Sequence, residues 1–380
     1  MKLPTTPAAW NVLANHVADD VLGPPSRALP ELIGEVSRLY TRDRDQLDKA
    51  RGRDVLTARL RFFLTRDVKK MEAPMEELAF ADALPKTDTW RVLDLGAGLG
   101  TTTLGLAPFA EAAGATIDVL AIDADALALK GMAALCREVG IEQRGQVGDA
   151  VRIANGTKLD HEAPFDFIVL GLFLNELSVE KRRTLVDSLK RRLAPNGSLI
   201  IIEPALREVT RELHELRRDW ITSGWTVFAP CLHALDCPML EGERDWCHED
   251  RAFRLPDPLI PVARAASLRF ESITFAYLTL RKDGQTLAGA LHPEDERVVS
   301  QVMVSKGKKQ LFVCSGGKRS KWVRLDRKRS PGNEAFDALR RGSIVRSEGL
   351  VSKGDGLRIE ETSVLTHTPL QTLAAEGRGE

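Results

Sequence analysis

No apolar run in the 380-residue sequence approaches the roughly 18 residues that a membrane-crossing helix needs, so no spanning segment is expected. Net charge is absent too: 54 Lys and Arg balance 54 Asp and Glu, and bulk electrostatics names no partner. Cysteine is scarce. Five cysteines, an odd number, do not make a disulfide scaffold. Thiols in a chain without such a scaffold more often hold metal or carry redox chemistry. The opening MKLPTTPAAW has no basic stretch followed by an apolar core, so no secretory signal is expected, and no Arg/Ser-rich, acid-poor leader is seen. A bacterial cytoplasmic location follows as the expectation. No internal repeat is found. What is present is ordinary for a globular protein, 43% apolar and 28% charged, in a chain long enough for more than one core.

Residues 1–88 are rich in Leu, Arg, Glu and Ala. Leu60, Phe63 and Leu64 fall at i, i+3, i+4, and Met71, Met75 and Leu78 continue at similar spacing, which predicts a helical N-terminal domain or a helical cap on the next one. From Trp90 strands and helices alternate: WRVLDLGAGLG, TIDVLAIDAD, RGQVGDA, FDFIVLGLFLNEL and SLIIIEPA are strands with their exit loops. Helices are expected at 101–113, 126–139, 178–193 (stopped by APNG) and 206–223. WTVFAP and ITFAYLTL are candidate sixth and seventh strands. Such alternation predicts an α/β domain over 89–284, a mainly parallel sheet covered on both faces. Residues 285–365 alternate apolar and polar residues between turn glycines, which predicts a small basic β-rich domain. A disordered tail is expected over 366–380.

The first strand ends in VLDLGAGLG. Glycines there let the backbone turn sharply and approach a ligand. The third glycine arrives one residue too early for the nicotinamide fingerprint. The pattern, with Asp94 ahead of Gly96, Ala97, Gly98 and Gly100, resembles the first motif of S-adenosylmethionine-dependent methyltransferases. That resemblance implies a Rossmann-like class I methyltransferase sheet with S-adenosylmethionine on the glycine turn. Asp123, closing the second strand, suits both ribose hydroxyls. Asp149 and Ala150, after the third strand, fall where the family places an acid near the adenine amino group. Asn175 and Glu176 are the polar groups after the fourth strand, with helix capping as the competing role. No catalytic group is legible: the (N/D)-P-P-(Y/F) tetrad is replaced by LFLNELS, and no cysteine lies in the loops after the fourth and fifth strands. Cys136, in MAALCREVG, reads as a buried structural thiol.

Three cysteines gather in CLHALDCPMLEGERDWCHED, between the candidate sixth and seventh strands, as C-x5-C-x9-C at Cys231, Cys237 and Cys247. A four-thiolate site needs a fourth ligand. Cys314, in LFVCSGGKRSKW, is the distant candidate, and His233 and His248 are local ones. Spacing alone leaves zinc and an iron–sulfur cluster open, although the paired C-x2-C of zinc ribbons is missing. This cysteine loop and the later FVCSGG, downstream of VLDLGAGLG, resemble the methyltransferase-like family that includes the mitochondrial small-ribosomal-subunit assembly factor and its bacterial relatives. The resemblance implies a [4Fe–4S] cluster on Cys231, Cys237, Cys247 and Cys314, and binding to small-subunit rRNA during assembly of the ribosomal small subunit. The family's C-P-H reads Cys231-Leu232-His233 here, which leaves the ligands intact.

Between Ser305 and Ser330 stand ten Lys or Arg and one Asp: Lys306, Lys308, Lys309, Lys318, Arg319, Lys321, Arg324, Arg327, Lys328 and Arg329 are the cations. This density suits a phosphate backbone. Phe312 and Trp322 alternate with polar neighbours as buried strand residues do. The leading expectation is therefore a ribosome-associated rRNA-binding factor, monomeric when free. An active rRNA methyltransferase, and a zinc-containing small-molecule or protein methyltransferase, are the alternatives.

Overall fold

Five helices open the chain in a computed structural model that describes residues 3–44, 46 and 51–370. They are α1 (Pro7–Val21), α2 (Leu29–Thr41), α3 (Arg53–Ala58), α4 (Leu64–Asp67) and α5 (Glu72–Phe80). Thr6 caps α1 by accepting from the Ala9 N–H at 3.2 Å, and Pro7 stands where a first-turn donor would have no partner. Between α3 and α4, Arg59–Phe63 widen into a π-turn. Leu60, Leu64, Met71, Met75 and Leu78 are fully buried, as their spacing predicts, and Phe63 is half-buried. They share one apolar cluster with Trp90, Val92, Val119, Phe167, Ile200 and Phe275. The helical layer is thus packed onto one face of the sheet that follows.

That region runs β1 (Thr89–Leu95), α6 (Thr101–Ala112), β2 (Thr116–Asp123), α7 (Ala126–Val139), β3 (Glu142–Val147), α8 (Ala150–Asn155), β4 (Phe165–Gly171), α9 (Val179–Leu189), β5 (Leu193–Pro204), α10 (Arg207–Thr222), β6 (Thr226–Ala229), β7 (Glu249–Ala252), α11 (Ile260–Ala265) and β8 (Ser272–Arg281). The sheet order is β3-β2-β1-β4-β5-β8-β6, with β7 on β8. β1 to β5 pair in parallel and β8 lies antiparallel to β5 and β6. This is a Rossmann-like sheet. Alternate residues explain its two faces. Val92 enters the cluster with the N-terminal helices, whereas Leu93 and Leu95 pack with Leu185 and Leu189 of α9 and Leu213 and Trp220 of α10. Two local expectations change. APNG is no free turn: β5 begins at Leu193, and the register jumps from Phe165↔Leu193 to Phe167↔Ser198 across an irregularity that absorbs it. α8 is too short to leave a periodic signal.

The chain ends in β9 (Glu296–Val298), β10 (Met303–Ser305), β11 (Lys308–Ser315), β12 (Lys318–Leu325), β13 (Ile344–Glu348), β14 (Val351–Lys353), β15 (Gly356–Ile359) and β16 (Val364–Thr368). Their order is β14-β15-β12-β11-β9-β13-β16, with β10 on β11. Trp322, Phe336, Leu311 and Val345 form the core of this second sheet. Of the stretch expected as a tail, residues 366–368 belong to β16, which pairs with β13 through Thr368, and residues 371–380 lie outside the described ones.

Candidate functional site

A cleft of about 1060 Å³ opens at the carboxyl ends of β1, β2, β3 and β4, the edge where open α/β sheets bind ligands. Gly96, Ala97 and Gly98 form its floor, Asp123, Asp125, Asp149 and Ala150 one wall, and Phe173 and Glu176 another. Tyr40, Arg59, Phe63 and Arg66 reach in from the helical layer. Gly96 has φ +67°, and a Cβ there would sit 2.4 Å from the Phe173 ring. Gly100 has φ +73°, and a Cβ would meet Met132 at 2.7 Å. Both conformation and space require glycine at these two positions.

Asp94 lies beneath the turn and outside the cleft lining, 1% exposed. Its Oδ2 accepts from Thr102 Oγ1 at 3.0 Å and Thr103 Oγ1 at 2.7 Å, tying the start of α6 to β1. Burial pushes its carboxyl up to about 6. Asp123 is held by two backbone donors, Gly98 N to Oδ2 and Asp125 N to Oδ1, each at 2.8 Å. Each oxygen keeps acceptor capacity for a further hydroxyl. Asp149 caps α8, accepting from Arg152 N at 3.0 Å.

Asn175 departs from its expected place. It is 5% exposed in the turn Leu174–Glu176 and does not line the cleft; Glu176, one residue on, does. Nor does it cap α9, which Ser178 precedes. Its backbone N–H donates to Glu203 Oε1 at 3.3 Å, and its carbonyl accepts from Arg44 at 3.2 Å. Glu203, unremarked in the sequence, ends the apolar run of β5; burial pushes its carboxyl up to about 8. The signal available was a lone acid closing SLIIIEPA. Preceding this turn, Leu172 adopts φ +60°, backbone strain of the kind that gathers at ligand sites.

Three of the four expected cysteine ligands meet from separate elements, while Cys231 packs against the core of the first sheet and acts on the other thiols electrostatically. Cys231 follows β6, Cys237 opens the turn Pro238–Leu240, Cys247 precedes β7 and Cys314 lies on β11. Cys237, Cys247 and Cys314 share an apolar cluster with Met239, Val299 and Phe312. Burial pushes the Cys237 thiol up to about 11, Cys314 up to about 12, and Cys247 well above the usual thiol range. Neighbouring cysteines, Cys231 among them, raise all three further. No disulfide joins them. Among the described residues, no group of three or more His, Cys, Asp or Glu is arranged to hold a metal ion. His233 Nε2 lies 3.5 Å from Cys314 Sγ, while the His248 ring stacks on Trp246.

Two arginines of α10 hold this loop in place. Arg211 donates to the carbonyls of Met239, Leu240, Gly242 and Asp245, and Arg217 to those of His233 and Leu235. A loop with little regular structure must find such partners for its carbonyls. The sequence shows only a charged amphipathic helix here.

The basic segment forms the β11–β12 hairpin and the turn after it. Arg324 is corrected from surface to core: it is 2% exposed and donates to Asn333 O at 2.9 Å and to Asp337 at 2.6 Å. Lys309 and Arg329 also pair with Asp337, Lys321 with Asp355, Lys328 with Glu360, and Arg319 with Asp245. Arg319 also stacks over Phe312, 4.8 Å from the ring centre. Among the described residues, Lys306, Lys308, Lys318 and Arg327 carry no ion pair, and Lys306, Lys318 and Arg327 are exposed. Trp322 is fully buried and Phe312 packs beside the cysteines, so both aromatics serve packing.

Comparison with curated proteins finds no match. Among solved structures, the chain is similar to a class I S-adenosylmethionine-dependent methyltransferase described as putative from Listeria monocytogenes, with 12% identity, TM-score 0.37, 72% of this chain and 87% of that one covered. It is also similar to an S-adenosylmethionine-dependent methyltransferase from Leishmania major (14%, TM-score 0.37, 68% and 85%) and to an RNA methyltransferase, again described as putative, from Pyrococcus horikoshii (16%, TM-score 0.34, 57% and 85%). The family model described as "Mitochondrial small ribosomal subunit Rsm22" matches residues 62–343, from the π-turn through the cleft, the cysteine loop and the basic hairpin, and the chain belongs to that Rsm22 family.

Proposed function

We propose that this chain binds small-subunit rRNA and assists assembly of the ribosomal small subunit, using a methyltransferase fold that takes an S-adenosylmethionine-type ligand. The observation that carries the reading is the seam between the two sheets. Cys314 lies on the hairpin that presents Lys306, Lys308 and Lys318, and it meets the cysteine loop of the first sheet. The family's own description, a small ribosomal subunit component, supports the choice of partner.

Two bound groups belong to this reading. Gly96, Ala97 and Gly98 would take the methionine portion of the ligand, Asp123 its ribose, and Asp149 and Ala150 its adenine. When bound, such a ligand supplies an electrophilic methyl group. Cys231, Cys237, Cys247 and Cys314 would hold a [4Fe–4S] cluster. Their chemistry fits: Cys237 is buried and the other three are half-buried, and burial with neighbouring cysteines raises the thiols of Cys237, Cys247 and Cys314, which are unfavourable as free thiolates and would be stabilised by a cationic core. When bound, a cluster supplies a rigid cross-link between loop and hairpin.

The test is binding of the anaerobically purified protein to small-subunit rRNA across a salt series. Tight binding that weakens steeply with salt is expected, and affinity no higher than for an unrelated RNA of equal length would overturn the proposal. A second reading, active rRNA methylation, is favoured by the cleft's extent. Beyond the glycine turn it continues past Tyr40 and Arg66 to Arg269 and Thr274, leaving room for an acceptor. Labelled methyl transfer to immature small subunits separates the two.

A further inference from the structure

We infer that Arg59 receives the carboxylate of the amino-acid end of the adenosyl ligand, so that the helical layer supplies part of a site otherwise built by the sheet. The inference rests on the adenosyl-ligand reading above.

Arg59 begins the π-turn, flanked by Ala58 and Leu60, both fully buried in the core between helices and sheet. Its backbone is therefore fixed while its side chain faces the cleft. The guanidinium crosses the Tyr40 ring, 5.2 Å from its centre, and reaches the glycine turn. Its Nη1 lies 3.7 Å from where a Cβ on Gly98 would stand. This places a fork of N–H donors directly over the backbone assigned to the methionine portion.

Among the described residues Arg59 makes no hydrogen bond or ion pair. Arg61, two residues on, contrasts sharply: it donates to Asn15, Asp19 and Gly23. Arg59 is half-buried at the cleft wall, and burial holds it below the usual arginine range, a cost that a bound anion would offset. Asp123 does not complete it: its carboxylate acts on Arg59 electrostatically, and no hydrogen bond or ion pair joins the two side chains.

The charges that act on Arg59 are acidic and bear on the kind of anion, although Arg66, Lys70, Arg152, Lys181 and Arg269 also line the cleft. Asp123, Asp125 and Glu176 line the same cleft and act on Arg59 electrostatically. They repel a phosphate, which brings up to two negative charges. A zwitterionic amino-acid end suits them, because its ammonium answers the carboxylates while its carboxylate takes the guanidinium in a two-point bond.

The experiment is calorimetric titration of the full chain with two nucleosides, S-adenosylhomocysteine, which carries the carboxylate, and 5′-methylthioadenosine, which lacks it. Wild type is expected to prefer S-adenosylhomocysteine. Arg59→Met is expected to lose about 10- to 100-fold for S-adenosylhomocysteine and to bind methylthioadenosine unchanged, which also certifies its fold. Arg59→Lys is expected to restore part of the loss, and it decides in place of Arg59→Met if that variant does not fold. Equal losses for both nucleosides, or none for either, overturn the inference and leave the adenosyl reading standing. Wild type that binds neither nucleoside overturns both.

Discussion

The guanidinium of Arg297 donates to Glu77 Oε1 at 2.6 Å, with both side chains buried, and the Tyr277 hydroxyl donates to the other Glu77 oxygen at 2.7 Å. Arg297 is on β9, Glu77 on α5 and Tyr277 on β8, so one carboxylate ties together the helical layer and both sheets. Removing one member of such a pair strands the others without water. Glu77→Ala is expected to destabilise the protein by about 3–5 kcal/mol, read from urea unfolding. A loss under about 1 kcal/mol, the range of an exposed pair, would show that the carboxylate does not join these units.

Glu203 makes stability depend on pH in the direction opposite to a paired carboxylate. Its folded pKa, about 8, lies above its ordinary value of 4.5, chiefly through burial, with Asn175 and Arg182 partly opposing. The folded state therefore holds the proton more tightly. The stabilisation is full below about 4.5, declines as pH rises, and is gone above about 8. Thermal melts should show Glu203→Gln gaining on wild type between pH 6 and pH 9, by on the order of a few kcal/mol at the top. A pH-independent difference would mean the site is hydrated.

The residues that line the cleft were largely legible because they are local. A glycine turn and an acid at a strand end announce themselves within ten residues, and Asp123, Asp149 and Gly96 to Gly98 all face the cleft. Arg59 was illegible for a physical reason: the π-turn breaks the 3.6-residue period that organises the rest of the helical layer. Arg324 was misread because a count of cations along the chain cannot see Asp337 folding back, 13 residues later, to take it into the core. Asn175 and Glu176 are neighbours in sequence, and only the turn decides which one faces the cleft.

The cysteine seam leads to a prediction about metal content. Protein purified without oxygen is expected to carry about four iron and four sulfide per chain, and Cys314→Ser to lose most of the iron and to melt at a lower temperature. Cys136→Ser serves as the control, because that thiol is buried in α7 away from the site. About one zinc without iron would replace the cluster with a lone ion. Neither metal would leave the four thiols a packing feature alone.

The hairpin cations divide into two groups with opposite expectations. Lys306, Lys308, Lys318 and Arg327 carry no protein partner among the described residues, so replacing all four with alanine should leave the melting temperature nearly unchanged. The same variant should bind small-subunit rRNA more weakly. Each lost phosphate contact flattens the dependence of log affinity on log salt by about 0.7–0.9, so four contacts should flatten it by about 3. Arg324→Ala should do the reverse. It leaves Asn333 and Asp337 without their buried donor and opens a space beside Phe336, 5.0 Å from the guanidinium. Loss of fold in the second sheet, not a selective loss of RNA affinity, is its expected signature. If the four-alanine variant keeps wild-type affinity and salt slope, the RNA lies on another face, and the hairpin serves only to carry Cys314 to the seam.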